Sequence, residues 1–516
     1  MNGAESLVHT LVDGGINVCF ANPGTSEMHF VAALDRVEGM RSILCLFEGV
    51  VTGAADGYAR MTDRPAATLL HLGPGLANGL ANLHNARKSN TPIVNVIGEH
   101  ATYHIEYDAP LTADIEGIAR PVSHWIRTSM SSTDVATDAA DAIAAAMAPP
   151  GQIASLILPA NTAWEEANGP AAVPALAQRA HSSAEAISTA AKVLRSGEST
   201  VLLLGGHALR GPSLELAGKI ANATGARVMA QGANARIERG VGRVAVNRIP
   251  FAVDQALQVL DGVQNIILIG AKPPVAFFAY PGKPSELSPE GCKHHLLAAI
   301  GDDLHHALSC LVDEVDAANT PATLQELDRP AIPDGALSKD SIAAVLGALI
   351  PENAIVADES VNTGRDFFRL TAGAPAHCWM NNTGGSIGLG MPLATGAAVA
   401  CPDRKVLCLS GDGSAMYTVQ SLWTQARENL DVTTVVFSNR SYEILLGELA
   451  KVGAGNAGRS ALDMLDLRRP DLDFVMMAKS MGVPGVRVDS NASFAKALAH
   501  GIAQPGPYLV EVELAN

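Results

Sequence analysis

Asp412 and Asn439 are the residues whose types and spacing could do chemistry. Asp412 lies inside Gly411-Asp412-Gly413, and twenty-five residues separate that triplet from Asn439-Arg440-Ser441-Tyr442. A hard divalent cation such as Mg²⁺ takes near-octahedral oxygen ligands and is usually held by one or two protein oxygens with phosphates and water. Asp412, the Asn439 amide oxygen and the main-chain carbonyl of Ser441 meet that demand, so the pattern reads as a clamp for Mg²⁺ on a diphosphate. Gly411 and Gly413 are expected to let backbone approach the diphosphate and to take torsions closed to other residues. A Gly-Asp-Gly turn with an unrelated asparagine would use the same residues, because Asp-Gly pairs are common in turns. Only the surrounding elements separate the two readings.

Those elements are apolar runs that deliver each loop to a strand end. Val406-Leu407-Cys408-Leu409-Ser410 leads to the glycines, Thr433-Thr434-Val435-Val436-Phe437-Ser438 leads to the asparagine, and a helix is expected near Ser421 to Asn429. This arrangement resembles the signature of thiamin-diphosphate-dependent enzymes. That family also needs an upstream carboxylate. Glu48 follows the apolar run Ile43-Leu44-Cys45-Leu46-Phe47 and precedes Gly49-Val50-Val51-Thr52-Gly53-Ala54-Ala55-Asp56-Gly57-Tyr58-Ala59-Arg60. The resemblance implies that Glu48 acts on the cofactor's aminopyrimidine ring, stabilising the imino tautomer that generates the nucleophilic ylide. Burial would raise the Glu48 pKa toward the working range. Without the family, Glu48 reads equally as a carboxylate complementing a helix N-terminus.

A third element agrees. Thr383-Gly384-Gly385-Ser386-Ile387-Gly388-Leu389-Gly390-Met391-Pro392 resembles the segment that supports the bent cofactor. The resemblance implies that Ile387 is an apolar wedge between the two rings and that the Gly385 carbonyl accepts from the 4′-amino group; simple packing is the alternative. Asn362 and Thr363 resemble the position that meets the diphosphate, and Ser414, Tyr442 and Ile444 complete the expected cofactor-binding set.

A chain of 516 residues is too long for one core and suits about three domains. Short apolar runs alternate with helical stretches, at Val18 to Phe20, Ile43 to Phe47, Ala66 to Leu70, Ile93 to Ile97 and Ile153 to Leu158, then at Val201 to Gly206 and Ile266 to Gly270, and again at Ala354 to Asp358, Val406 to Ser410, Thr433 to Ser438 and Tyr508 to Val512. This is the pattern of parallel α/β sheets. Linkers are expected around residues 169–174 and near Pro321, Pro330 and Pro333. The fold class is therefore α/β with three doubly wound parallel-sheet domains: residues 1–168 as pyrimidine-binding, 183–325 as central and 335–516 as diphosphate-binding, the names following from the resemblance. Ligands in such sheets bind at the carboxyl ends of strands, where Glu48, His71, Asp412 and Asn439 all fall.

A formal charge of −16 argues against nonspecific binding to nucleic acid or anionic membrane, which requires basic patches. Seven cysteines without C-x-x-C spacing read as buried thiols of a reducing compartment. The N-terminus shows no targeting signal and no apolar run reaches transmembrane length, so a cytoplasmic protein is expected. The resemblance further implies a homodimer at minimum and a homotetramer as the full form, because in the family the pyrimidine half of one subunit faces the diphosphate half of another.

Within the family, Asn22-Pro23-Gly24-Thr25-Ser26-Glu27 and His71-Leu72-Gly73-Pro74-Gly75-Leu76-Ala77-Asn78 look like acetolactate-synthase large subunits and benzoylformate decarboxylase. His71 takes the place of a catalytic histidine of the decarboxylase, and Thr25 the place of its serine. A strand-end histidine could relay protons at neutral pH, or could be a satisfied structural residue. No glutamine stands in Tyr107-Asp108-Ala109-Pro110-Leu111, where the synthases carry one, and Arg239-Gly240-Val241-Gly242 replaces the element that accompanies FAD, so FAD is not expected. The expected substrate is a 2-oxo acid that loses CO₂, giving an aldehyde or a 2-hydroxyketone or acetolactate-type product. Two alternatives stay open. One is a lyase of 2-hydroxyacyl or oxalyl thioesters, for which Arg210, Lys219 and Arg227 would have to converge; the other is an inactive cofactor-binding subunit.

Overall fold

Apolar runs too continuous to show one face to water become strands covered by helices on both sides. In the computed structural model, which describes residues 1–514, they build three sheets. The first is parallel and six-stranded, in the order Arg41–Leu44, Val18–Asn22, Ala66–Leu70, Ile93–Glu99, Ile153–Pro159, Trp125–Thr128. The second runs Asn247–Arg248, Arg227–Ala230, Thr200–Leu204, Asn265–Ile269, Lys293–Ala298, all parallel. The third is seven-stranded: Gly485–Val488, Tyr508–Glu513, Val432–Ser438, Val406–Gly411, Ile355–Glu359, His377–Asn381 and Ile237–Arg239.

Two features depart from the sequence expectation. Ile237–Arg239 leaves the middle segment and pairs antiparallel with His377–Asn381 at the edge of the third sheet. The strand expected over Ile43 to Phe47 ends at Leu44, and Cys45 to Phe47 form the connection that brings Glu48 to the head of the Glu48–Thr62 helix.

That helix is the hub of the molecule. It crosses the Gly390–Ala400 helix of the third sheet so closely that a Cβ at Gly57 would lie 2.1 Å from the Leu393 carbonyl oxygen and one at Gly396 1.8 Å from that of Ala54. Both helices are buried nearly all round, as small and apolar residues on every face allow. From the same helix Arg60 forks onto Asp56 at 2.8 and 2.6 Å, and donates to the Asn381 carbonyl at 2.7 Å and the Ala235 carbonyl at 3.3 Å. One buried guanidinium thereby touches all three parts of the chain.

All seven cysteines are free, four of them buried. Burial pushes the Cys19 and Cys45 thiols up to about 12, the profile of inert core thiols.

Candidate active site

The carboxyl edge of the first sheet assembles a carboxylate–imidazole pair. The Val18–Asn22 and Ala66–Leu70 strands are parallel neighbours, with Asn22 opposite Leu70, so the turns that follow leave the sheet side by side. One turn carries Thr25 to Glu27, the other His71. His71 Nδ1 lies 2.9 Å from Glu27 Oε2, which also accepts from Gly24 N–H at 2.6 Å. Glu27 is 1 % exposed, and its second oxygen is buried without a hydrogen-bond partner among the described residues. Burial raises its pKa, with the charge of His71 opposing. The cage is tight: a Cβ at Gly98 would fall 1.5 Å from Glu27 Oε1, and one at Gly24 2.2 Å from the His71 ring. Leu72, next to His71, is held at φ 48°, a conformation that costs a bulky residue energy. Thr25 stands exposed at the head of its turn.

Sequence reasoning quoted Glu27 within a motif but did not see it as His71's partner. The signal that could have found it is strand adjacency, which a local pattern does not carry.

Glu48 is 7 % exposed, and Asn78 Nδ2 donates to its Oε2 at 3.0 Å. Asn78 belongs to the Leu72–Ser89 helix, which presents Asn78, Asn82 and Asn85 on one face by their four- and three-residue spacing. Asn82 Nδ2 bridges the Gly49 carbonyl at 2.8 Å and the Gly388 carbonyl at 3.2 Å, and Asn85 donates to the Ser386 carbonyl at 2.8 Å. The loop bearing half-buried Ile387 is thus laid on the helix that begins at His71. Its other support is Glu359, whose carboxylate accepts from the N–H groups of Gly388, Leu389 and Gly390 at 3.2, 3.0 and 2.9 Å and from Asn382 at 3.1 Å. Burial raises the Glu359 pKa against those hydrogen bonds. Glu359 too was missed; a carboxylate closing an apolar strand was its only local mark.

On the third sheet, Val406–Gly411 and Val432–Ser438 are parallel neighbours with Gly411 opposite Phe437, so Asp412 and Asn439 emerge together. Asp412 is 4 % exposed and ties the two loops: Oδ1 accepts from Gly413 N–H at 2.8 Å and Oδ2 from Arg440 N–H at 2.6 Å. Burial pushes its pKa up to about 6, against those main-chain donors. Asn439 Oδ1 accepts from Ser441 N–H at 3.1 Å, and its Nδ2 donates to Glu443 at 3.1 Å. Arg440 between them is left-handed at φ 55°.

The glycines need a correction. Gly411 has φ −73°, and Gly413 is not among the positive-φ glycines, so neither uses torsions closed to other residues. Gly413 is required by packing, since a Cβ there would lie 2.5 Å from the Tyr442 ring, while a Cβ at Gly411 would find nothing nearer than 4.0 Å. Ser414 and Thr363 are each 4 % exposed, Asn362 and Ile444 are half-buried, and the Asn362 amide bonds to Glu443.

These residues fit a divalent cation on a diphosphate. Asp412 has lost its water and gained only main-chain donors, so a cation there restores the interaction that burial removed. An amide oxygen has two lone pairs, leaving Asn439 one beyond that given to Ser441. Open space faces Gly411. Among the described residues no group of three His, Cys, Asp or Glu side chains is placed to hold a metal, so an ion here would complete its shell with amide, main-chain, phosphate and water oxygens.

Other residues separate. Arg210 pairs with Asp63 at 2.6 Å, Lys219 with Glu215 at 3.7 Å, and Arg227 donates to the Val259 carbonyl at 3.0 Å, so the three that a thioester lyase would need do not converge. Arg239 is a core strut, 3.9 Å above the Phe368 ring.

The sequence matches the family described as thiamine pyrophosphate enzyme, N-terminal TPP binding domain, over residues 1–120, and its C-terminal TPP binding domain over residues 363–512. A Mycobacterium tuberculosis H37Rv protein with the provisional name acetolactate synthase large subunit IlvX is 55 % identical over 514 residues, 99 % of each chain. Benzoylformate decarboxylase of Pseudomonas aeruginosa is 30 % identical over 525 residues, 96 % of each. Among solved structures, the thiamine diphosphate-dependent 4-hydroxybenzoylformate decarboxylase of Rhodococcus jostii RHA1 superposes with a TM-score of 0.87 at 25 % identity, covering 100 % of this chain and 99 % of that one.

Proposed function

The chain belongs to the thiamine pyrophosphate enzyme family, and from that premise we propose that it uses thiamin diphosphate and Mg²⁺ to decarboxylate a 2-oxo acid, releasing chiefly an aldehyde. Addition of the donor to a second carbonyl compound, giving a 2-hydroxyketone or an acetolactate-type product, is the competing outcome. The observation that carries the choice is the half-buried contact between His71 and Glu27, which suits delivery of a proton better than its exclusion.

Thiamin diphosphate, when bound, supplies the carbon nucleophile and the electron sink that take up the pair left by CO₂. Asp412, Asn439 and Ser441 would hold the metal, and Gly411, Gly413, Ser414, Asn362 and Thr363 would surround the diphosphate. Gly385 and Ile387, with Tyr442 and Ile444, complete the cradle. Glu48 would exchange a proton at its carboxyl through Oε1, which lies beside Gly75, since Asn78 occupies Oε2. His71 would move a proton at Nε2, because Nδ1 is turned to Glu27. Thr25, exposed beside them, would orient the donor's carboxylate.

Several large apolar side chains stand in water around the site, Leu46 at 47 %, Tyr107 at 70 % and Tyr417 at 52 % exposure. They support assembly into a homodimer or homotetramer. Among the described residues no helix is long and apolar enough to cross a membrane, and a cytoplasmic location is part of the same reading.

CO₂ release and product identity from a panel of 2-oxo acids anchored on pyruvate and benzoylformate, with and without thiamin diphosphate and Mg²⁺, test the reading. Cofactor-dependent CO₂ with aldehyde is expected, abolished in Glu48→Gln. Acetolactate as the main product would shift the weight to ligation, and no cofactor-dependent CO₂ from any donor would overturn the proposal.

A further inference from the structure

We propose that the loop around Phe277 and the turn bearing Arg365 form a donor-specificity subsite, selecting a 2-oxo acid whose side chain is aromatic and ends in a second anionic group. This rests on the decarboxylase reading above and narrows its substrate class.

The connection over residues 271–287 leaves the middle sheet after the Asn265–Ile269 strand and lays Phe277 on the loop that carries Ile387. Gly385 is held at φ 80°, and a Cβ there would lie 2.5 Å from the Phe277 ring, so the position is open to that ring and closed to a side chain. Phe277 packs on Phe251 at 5.2 Å between centroids and edge-on to Phe278 at 4.8 Å. Eleven phenylalanines serve the whole chain; three gather here, yet Phe277 and Phe278 remain 51 % and 53 % exposed. Aromatic faces left in water beside a cofactor loop make a recognition surface rather than a core.

Arg365 supplies the charge. Its guanidinium lies 4.6 Å over the Phe251 ring. Among the described residues no carboxylate comes within 4.0 Å of it: Asp366 is taken by Arg369 at 3.3 Å and Glu448 by Lys451 at 2.9 Å. Burial lowers its pKa, with Glu448 and Asp366 opposing at longer range. A half-buried guanidinium without an ion-pair partner, lying over the Phe251 ring, matches a carboxylate in a two-pronged contact while the neighbouring rings stack an aryl group. The turn itself is strained where it begins, with β-branched Val361 at φ 47°. Strain of that kind persists where the surroundings impose it and clusters at ligand sites.

Calorimetry on the full chain with thiamin diphosphate and Mg²⁺ tests the subsite, using terephthalate and benzoate as inert probes that differ by the second carboxylate. Terephthalate is expected to bind about tenfold or more tighter than benzoate. That preference should vanish in Arg365→Leu and partly survive in Arg365→Lys, and Phe277→Ala should weaken both probes. Equal binding of the two, or a preference that persists in Arg365→Leu, overturns the subsite. CO₂ release from pyruvate and benzoylformate on the same preparations separates the two readings. Turnover without the terephthalate preference removes the subsite alone; the preference without turnover of any 2-oxo acid removes the decarboxylase reading alone.

Discussion

Glu27 is a carboxylate almost wholly out of water, and among the described residues His71 is the one side chain that answers it. A hydrogen bond to this carboxylate is therefore worth more here than at the surface. Glu27→Gln keeps the shape and removes the charge, and the expected result is a fall of about 10²-fold in kcat for aldehyde formation with KM little changed. Steady-state kinetics on a variant with unaltered circular dichroism would show it, and an unchanged kcat would mean that His71 acts alone. Asp412 titrates in the opposite sense to an ion-paired acid. Its folded pKa of about 6 lies above the ordinary 3.8, so the stability it lends without metal is present below pH 3.8 and is lost as pH rises through about 6. Mg²⁺ must meet the ionised form, so its affinity should drop about tenfold for each pH unit below 6. Titration calorimetry at pH 5, 6 and 7 checks this, and a flat profile would place the metal elsewhere.

Among the elements, the Leu72–Ser89 helix does more than bridge two strands. Its asparagine face clamps Glu48's helix on one side and the loop of Ile387 on the other. Asn82→Leu removes the hydrogen bonds to the Gly49 and Gly388 carbonyls, the second of which keeps the Thr418 hydroxyl at 3.0 Å, at a cost of about 0.5–1.5 kcal/mol for each bond lost. Chemical denaturation should report that loss, and thiamin diphosphate should bind more weakly as the loop loosens. The crossing of Glu48–Thr62 on Gly390–Ala400 is less forgiving. Gly396→Ala puts a methyl where backbone lies 1.8 Å away, and overpacking of this kind costs about 1–3 kcal/mol or more. A thermal midpoint equal to the parent's would show that the helices can separate. The apolar runs that face helices on both sides were legible as strands. Arg227–Ala230 and the edge strand Lys293–Ala298 were not, because each is short and opens on charged or polar residues that break the apolar run. His377–Asn381 was hidden by its own polar ends.

For the molecule as a whole, Arg60 is the keystone contact, joining the first helix hub to the Asn381 and Ala235 carbonyls while neutralising Asp56. Arg60→Leu strands a fully buried carboxylate, for which a loss of about 3–5 kcal/mol is expected. Unfolding in urea would measure it, and a second transition would show the three parts coming apart separately. What the sequence by itself determined is what residue type and local period can encode: the α/β class, the strand ends where Asp412, Asn439 and His71 sit, and the Gly-rich loop of Ile387. The Gly-Asp-Gly triplet was legible, although its glycines answer to Tyr442 and to open space rather than to unusual torsions. Only the tertiary structure decided that Glu27 meets His71 across 44 residues and that Glu359 cradles the Gly388 to Gly390 backbone from 29 residues away. It alone brought Phe277 onto Gly385 and drew Ile237–Arg239 into the last sheet. Those contacts follow from strand order and helix crossing, which arise from packing of the whole chain and leave no mark in any short stretch of it.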